Sequence, residues 1–288
     1  MATTPLTQRD YTTKYTPSWC PGCGNFGIMP ATKGAFAELG IPPHQIAMIF
    51  GIGCSSNGSN FYNVYAFHGI HGRSLPVASG VKLANSELTV VADSGDGDAY
   101  GEGISHFVHT ARTNIDITYL VHDNHLYSLT TGQTSPTSEE GMKTKSAPFG
   151  NIDHPFNPIA TAILNGATFV AQGFSSDIPQ LKELIKQAIK HRGFSFINIM
   201  QLCPTFNKLN EFPWYKERVI KLEDEKHNTS DYQAALMQAV RTDGKIPLGV
   251  FYQIEKPTYH DRLEQLKTPL VKHRIDRIDI TRSLEIYR

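Results

Sequence analysis

Short apolar runs alternate along the chain with stretches of helical spacing. Residues 46–50, 88–92, 117–121, 167–171 and 194–200 are runs of strand length dominated by apolar side chains, the pattern of strands covered on both faces. Between them lie segments of helical type. Residues 24–39 carry Phe26, Met29, Ala35, Phe36 and Leu39 at approximately helical spacing, with Gly40 as a stop and Pro30 as a point where the helix could kink or split. Further helices are predicted beyond His71-Gly72-Arg73 through residues 77–84, and over 100–112, 158–165 and 178–191. Such alternation is the sign of a parallel sheet with helices on both faces. The expected fold class is therefore α/β, a doubly wound, mostly parallel sheet. Beyond Pro204 the chain is more charged and less periodic, so residues 1–206 read as the main domain and 207–288 as a C-terminal arm or small subdomain, with 248–252 as one more strand.

Composition narrows the function classes. Lys plus Arg equals Asp plus Glu at 27 each, without a basic run, so no field favours nucleic acid as a partner. The opening residues 1–10 lack an apolar signal core, and no stretch approaches the roughly 20 apolar residues of a spanning helix. A cytoplasmic protein without membrane contact is expected.

The chemistry-bearing residues fall at particular places in the pattern. Cys54, Asp96, Asn124 and Cys203 each follow the carboxyl end of a predicted strand, the edge where open parallel sheets bind ligands. Gly95-Asp96-Gly97-Asp98 alone would most often be a turn. With Asn124 placed 28 residues after Asp96, and both on one edge, it matches the motif for thiamine diphosphate and magnesium. Magnesium takes about six oxygens, usually only one or two of them from side chains. Asp96 and Asn124 can supply two, and the backbone carbonyl near Leu126 a third. Gly95, Gly97 and Asp98, between strand and helix, form a candidate phosphate cradle. A dinucleotide reading of the glycines near Gly95 and Gly101 fails for want of the full glycine pattern.

All four cysteines stand in site-like contexts: Trp19-Cys20-Pro21-Gly22-Cys23-Gly24, Gly53-Cys54-Ser55 and Leu202-Cys203-Pro204. They read as one four-ligand site, holding either a structural zinc or an iron-sulfur cubane. The isolated Cys54 and Cys203, the latter followed by Pro204, and the company of a thiamine motif favour the cubane. Among the histidines, His71 stands between Cys54 and Asp96, where imidazole could meet diphosphate or a substrate carboxylate; a structural role is the alternative. His106 and His109, three apart, lack a third ligand and read as a partly exposed helix face. Asp93, His122 and Asp123 lie at the same strand ends, and nothing in the sequence decides their role. No nucleophile elbow supports a hydrolase.

These motifs, with Gly51-Ile52-Gly53-Cys54-Ser55-Ser56-Asn57, His71-Gly72-Arg73, Asp123-Asn124, Gly132-Gln133-Thr134-Ser135-Pro136-Thr137 and Cys203-Pro204-Thr205-Phe206-Asn207, resemble the beta subunit of 2-oxoacid:ferredoxin oxidoreductases. The resemblance spans residues 19–207 and resumes at 246–252. It implies a thiamine diphosphate-binding fold, a [4Fe-4S] cluster on Cys20, Cys23, Cys54 and Cys203, and Mg2+ on Asp96, Asn124 and the Leu126 carbonyl. It implies cofactor contacts from Ile52, Gly53, Cys54, Ser55, His71, Gly95, Gly97, Asp98, Ser128 and Leu129, with His71 as the catalytic candidate. The implied activity is coenzyme A-dependent oxidative decarboxylation of a 2-oxoacid of the pyruvate or 2-oxoglutarate class, with electrons passing singly through the cluster to ferredoxin. The implied partner is an alpha subunit, in a heterodimer expected to double. Two alternatives stay open: a non-oxidative thiamine-dependent decarboxylase subunit with structural zinc, and a non-catalytic electron-transfer subunit. One departure stands out, since the family carries glycine after the tyrosine of Tyr127-Ser128-Leu129. Ser128 must adopt that glycine's backbone angles or shift the contact.

Overall fold

The computed structural model describes residues 5–274, 276 and 279–287; the first four residues of the leader and positions 275, 277, 278 and 288 of the C-terminal segment lie outside the described residues. The strands are β1 (Ile46–Phe50), β2 (Tyr65–His68), β3 (Thr89–Gly95), β4 (Ile117–Asp123), β5 (Leu126–Tyr127), β6 (Gln133–Thr134), β7 (Phe169–Phe174), β8 (Phe194–Met200), β9 (Val219–Lys221) and β10 (Ile246–Gln253). The helices are α1 (Asn25–Leu39), α2 (Ser74–Ala84), α3 (Ile104–Thr113), α4 (Pro158–Leu164), α5 (Ile178–Lys190), α6 (Phe212–Arg218), α7 (Tyr232–Ala239) and α8 (Thr281–Glu285). Eight strands form one sheet in the order β2-β1-β3-β4-β8-β7-β10-β9, and β5 pairs with β6 in a separate ribbon. Neighbours from β2 to β7 are parallel, β10 is antiparallel to β7, and β9 runs parallel to β10.

The continuous apolar strands follow from two-sided burial. Ala47 and Ile49 of β1 join a core with Leu75 and Ala78 of α2, Phe107 of α3, Ile163 of α4 and Ala235 of α7. Ile46, Met48 and Phe50 of the same strand join the opposite core with Ile28 and Phe36 of α1 and Leu181 and Ile185 of α5. Successive side chains point to opposite faces, so one five-residue strand feeds both cores. β2, by contrast, is exposed throughout and carries no burial signal.

Two expectations change in detail. α1 runs unbroken through Pro30. The helix expected over 100–112 is divided: Gly97–Glu102 is a π-helical turn, in which the Gly103 amide donates to the Asp98 carbonyl at 2.9 Å, and α3 begins only at Ile104. Such wide turns interrupt helices frequently at functional sites. Residues 207–288 supply β9 and β10 to the main sheet, and the strand expected over 248–252 extends to Ile246–Gln253. Among the described residues no helix is long and apolar enough to cross a membrane.

The amino end of α1 is pressed tightly onto the turn after β7. A Cβ at Gly27 would lie 2.0 Å from the Ser175 carbonyl oxygen. Gly27→Ala is therefore expected to destabilise the protein by about 1–3 kcal/mol through overpacking, read as a Tm lowered by several degrees; an unchanged Tm would show that this contact has slack.

Candidate functional site

β1, β3, β4 and β8 are consecutive parallel neighbours, so the segments after their carboxyl ends meet along one edge. A cavity of about 50 Å³ lies there. Ile52, Gly53, Cys54, Ser55, His71, Gly95, Asp96, Gly97, Asp98, Asn124, Leu126, Ser128 and Leu129 all line it, together with His122, Tyr127, Thr130 and Gln201.

Asp96 follows β3 and is 1% exposed. Ser135 Oγ donates to its Oδ2, and Thr137 Oγ1 approaches the same oxygen at 2.9 Å. Thr137 Oγ1 also lies 2.7 Å from Asp123 Oδ1, and one hydroxyl proton serves only one carboxylate at a time. Burial, followed by the neighbouring Asp123 carboxylate, pushes Asp96 up to about 7. A bound cation would reverse that shift by holding the carboxylate ionised. Asn124 sits beyond β4, followed by His125 in a left-handed conformation (φ 63°). Its Oδ1 accepts from the Leu126 amide at 3.1 Å and from Ser128 Oγ at 2.9 Å. Ser128 is absent from the left-handed residues, which in this loop are His125, Thr131 and Gly132. The hydroxyl thus makes a new contact to Asn124, and the serine needs no glycine-like backbone.

Asp98 braces the opposite wall. Its Oδ1 accepts from the Gly72 amide at 2.8 Å and lies 3.0 Å from His71 Nδ1, while Oδ2 is buried without a partner among the described residues. Burial raises the pKa of this carboxyl. The contact with Asp98 anchors His71 through one ring nitrogen while its side chain stays partly exposed on the rim. Beneath the cavity, His122 Nδ1 lies 2.8 Å from Asn25 Oδ1 and its Nε2 3.0 Å from Asp93 Oδ2. This buried set ties the start of α1 to β3.

The four cysteines border a second cavity of about 170 Å³ with Trp19, Asn57, Gln201 and Pro204. Cys20 and Cys23 share a turn closed by the Cys23 amide donating to the Cys20 carbonyl at 3.0 Å. Pro21 and Gly22 occupy its centre, and Gly22 takes the left-handed angle (φ 79°) that such a turn demands. Trp19 fastens this loop to the next cysteine, its indole N–H donating to the Cys54 carbonyl at 2.7 Å. Burial pushes the Cys23 thiol up to about 11 and the Cys54 thiol up to about 12, and proximity to the other cysteines adds to both shifts. Holding such sulfurs as thiolates requires compensating positive charge.

The two cavities share a wall. Cys54, Asn124, Ser128, Leu129 and Gln201 border both. Several groups fit the expected cofactors. Ser55 Oγ is a buried polar atom without a partner among the described residues, on a residue that lines the first cavity, and the hydrogen bonds to Asp96 all fall on Oδ2. Around the second, Cys20, Cys23, Cys54 and Cys203 all line one space.

Sequence reasoning did not assign Gln201, Ser135, Thr137 or Trp19 a role. Ser135 and Thr137 stood in a quoted motif and Trp19 beside Cys20, but neither position specifies the partner each contacts. His106 and His109 remain apart from the site, on α3, with His109 Nδ1 3.3 Å from Arg112.

Known proteins share both the sequence and the fold. Residues 46–199 match the family model of the thiamine pyrophosphate enzyme C-terminal TPP-binding domain, and residues 203–268 match the model of the C-terminal part of the pyruvate ferredoxin oxidoreductase beta chain. The chain is 44% identical over 266 residues to the 2-oxoacid:ferredoxin oxidoreductase 1 beta subunit of Aeropyrum pernix, covering 88% of this chain and 84% of that one. It is 36% identical over 249 residues to the 2-oxoglutarate synthase subunit KorB of Methanocaldococcus jannaschii, covering 86% and 92% respectively. Its structure is similar, with a TM-score of 0.91 and 40% identity, to a chain of the 2-oxoglutarate:ferredoxin oxidoreductase from Magnetococcus marinus, solved with 2-oxoglutarate, coenzyme A and succinyl-CoA bound; the match covers 98% of this chain and 96% of that one.

Proposed function

Because the chain belongs to the beta subunits of 2-oxoacid:ferredoxin oxidoreductases, we propose that with an alpha subunit it oxidatively decarboxylates a 2-oxoacid of the pyruvate or 2-oxoglutarate class, in the presence of coenzyme A, and delivers electrons singly to ferredoxin. The observation that carries this reading is the wall common to the two cavities, Cys54, Asn124, Ser128, Leu129 and Gln201. It sets a site suited to thiamine diphosphate directly against one suited to an electron acceptor.

When bound, thiamine diphosphate supplies the carbanion and electron sink for decarboxylation, and a [4Fe-4S] cluster supplies the one-electron acceptor. The chain's own part is to hold and orient. Asp96, the Asn124 amide oxygen and the Leu126 carbonyl are proposed to hold Mg2+. Gly95, Gly97 and Asp98, with Ile52, Gly53, Ser55, Ser128 and Leu129, are proposed to seat the cofactor. His71, anchored by Asp98, is the candidate to orient or protonate the substrate at its second ring nitrogen. Cys20, Cys23, Cys54 and Cys203 are proposed to hold the cluster, since all four line one cavity that borders the proposed cofactor site, where an electron acceptor for that site would stand.

The cavity of about 50 Å³ is far below the roughly 300–1,000 Å³ of a complete small-molecule site, which supports a site finished by another subunit. Exposed Ile70, next to His71, and exposed Leu129, on the rim, give such a subunit apolar surface to cover. Anaerobic turnover of the alpha-beta complex against a panel of 2-oxoacids, with coenzyme A and a low-potential dye, tests the reading. Dye reduction that needs both subunits is expected. Robust oxidation by this chain alone, supplied with cluster, Mg2+ and thiamine diphosphate, would refute the shared site, and failure of the complex with every 2-oxoacid would refute the activity.

A further inference from the structure

Gln201 is almost fully buried, and its backbone is anchored where β8 ends, its amide donating to the Asp123 carbonyl at 2.8 Å. Its side chain spans the wall between the two cavities. Nε2 donates to Cys23 Sγ at 3.5 Å, and Oε1 accepts from Asn124 Nδ2 at 3.3 Å. We propose that Gln201 is a positioning residue that sets the reduction potential of the cysteine-bound cluster and couples that potential to occupancy of the magnesium and thiamine diphosphate site.

The donor directions follow from one another. Asn124 Oδ1 accepts from the Leu126 amide, an N–H that can only donate, and lies 2.9 Å from Ser128 Oγ, a hydroxyl free to turn its proton aside when a cation takes that lone pair. Turning that amide over would put its NH2 group against the Leu126 N–H, which cannot accept, so Nδ2 must face Gln201. Gln201 must answer with its oxygen, and its own NH2 is thereby aimed at the Cys23 sulfur.

An N–H aimed at a cluster sulfur stabilises the reduced, more negative state and so raises the potential. Burial strengthens the interaction, because little solvent screens it. A cation drawing on Asn124 Oδ1 makes Nδ2 a stronger donor to Gln201, which in turn makes Gln201 Nε2 a stronger donor to the sulfur. Loading the first cavity should therefore make the cluster in the second a better electron acceptor.

The inference rests on the assignment of the cluster to these cysteines. Its test is an anaerobic redox titration of the assembled alpha-beta complex followed by electron paramagnetic resonance, with and without Mg2+ and thiamine diphosphate. In the wild type the potential should rise on loading. In Gln201→Leu it should start lower, with the ratio of reduced to oxidised cluster at a fixed solution potential smaller by about tenfold, which is 59 mV for a one-electron couple, and the rise on loading should vanish. Iron content and calorimetric cofactor affinity report separately whether the two sites remain intact, and Gln201→Met provides an unbranched second variant. A potential and a loading shift equal to those of the wild type in an iron-replete variant would overturn the inference alone. Loss of iron from both variants would also overturn it, by making Gln201 a requirement for assembly instead of a tuner. A wild-type complex without any cluster signal would overturn both the inference and the cluster assignment.

Discussion

Asp96→Asn is expected to lower the affinity of the assembled protein for thiamine diphosphate in the presence of Mg2+ by more than about 100-fold, since even partners one step removed from a metal change affinity by about 10–100-fold. The isosteric change keeps an oxygen for the Ser135 and Thr137 hydroxyls but removes the charge proposed to hold the cation. Loss of a buried carboxylate beside Asp123 should not destabilise the cofactor-free protein, because burial and that neighbour already disfavour its ionised form. A large binding defect with a retained Tm is thus the signature. Calorimetry gives the affinity, and visible absorption of the cluster should be unchanged. An affinity equal to wild type would remove Asp96 from the metal site.

Cys203→Ser should produce the opposite division. The residue is buried at the rim of the cysteine cavity, after β8, and serine there leaves one iron of the proposed cluster without its thiolate. Iron content and dye reduction should fall by an order of magnitude or more, on the order expected when a ligand rather than an outer partner is lost. Cofactor affinity should stay close to wild type, since no hydrogen bond among the described residues joins Cys203 to Asp96 or Asn124. Full iron occupancy with undiminished dye reduction would reject the four-cysteine assignment.

Where the sequence announced the fold, burial on two faces was the reason. β1, β4 and β8 contain only buried residues, so they stand out as apolar runs, and the glycine, acidic and cysteine residues after them mark the loops. β2 left no mark because none of its side chains is buried; its place comes from pairing with β1. The direction of β10 was equally silent, since an apolar run reads the same parallel or antiparallel. At the site, Asp96 and Asn124 were visible through their spacing. The hydroxyls of Ser135 and Thr137 come from a segment without periodicity, and Gln201 is an ordinary amide until folding brings Cys23 and Asn124 to its two ends. Such contacts depend on tertiary approach across the sheet edge, which no local pattern encodes.

The segment holding Cys54 has a consequence for how this protein can change. Its backbone is tied by Trp19 at Cys54, whose side chain borders both cavities while Ile52, Gly53 and Ser55 on either side line the first, so a substitution in residues 52–55 that moves Cys54 is judged twice, once by each cavity. A variant that improves the fit on one side must also preserve the alignment on the other, which leaves few acceptable single steps. Adaptation to a new 2-oxoacid should therefore proceed through rim positions with one neighbour to satisfy, such as Ile70, or through the partner subunit, while the shared segment stays fixed across enzymes of different specificity.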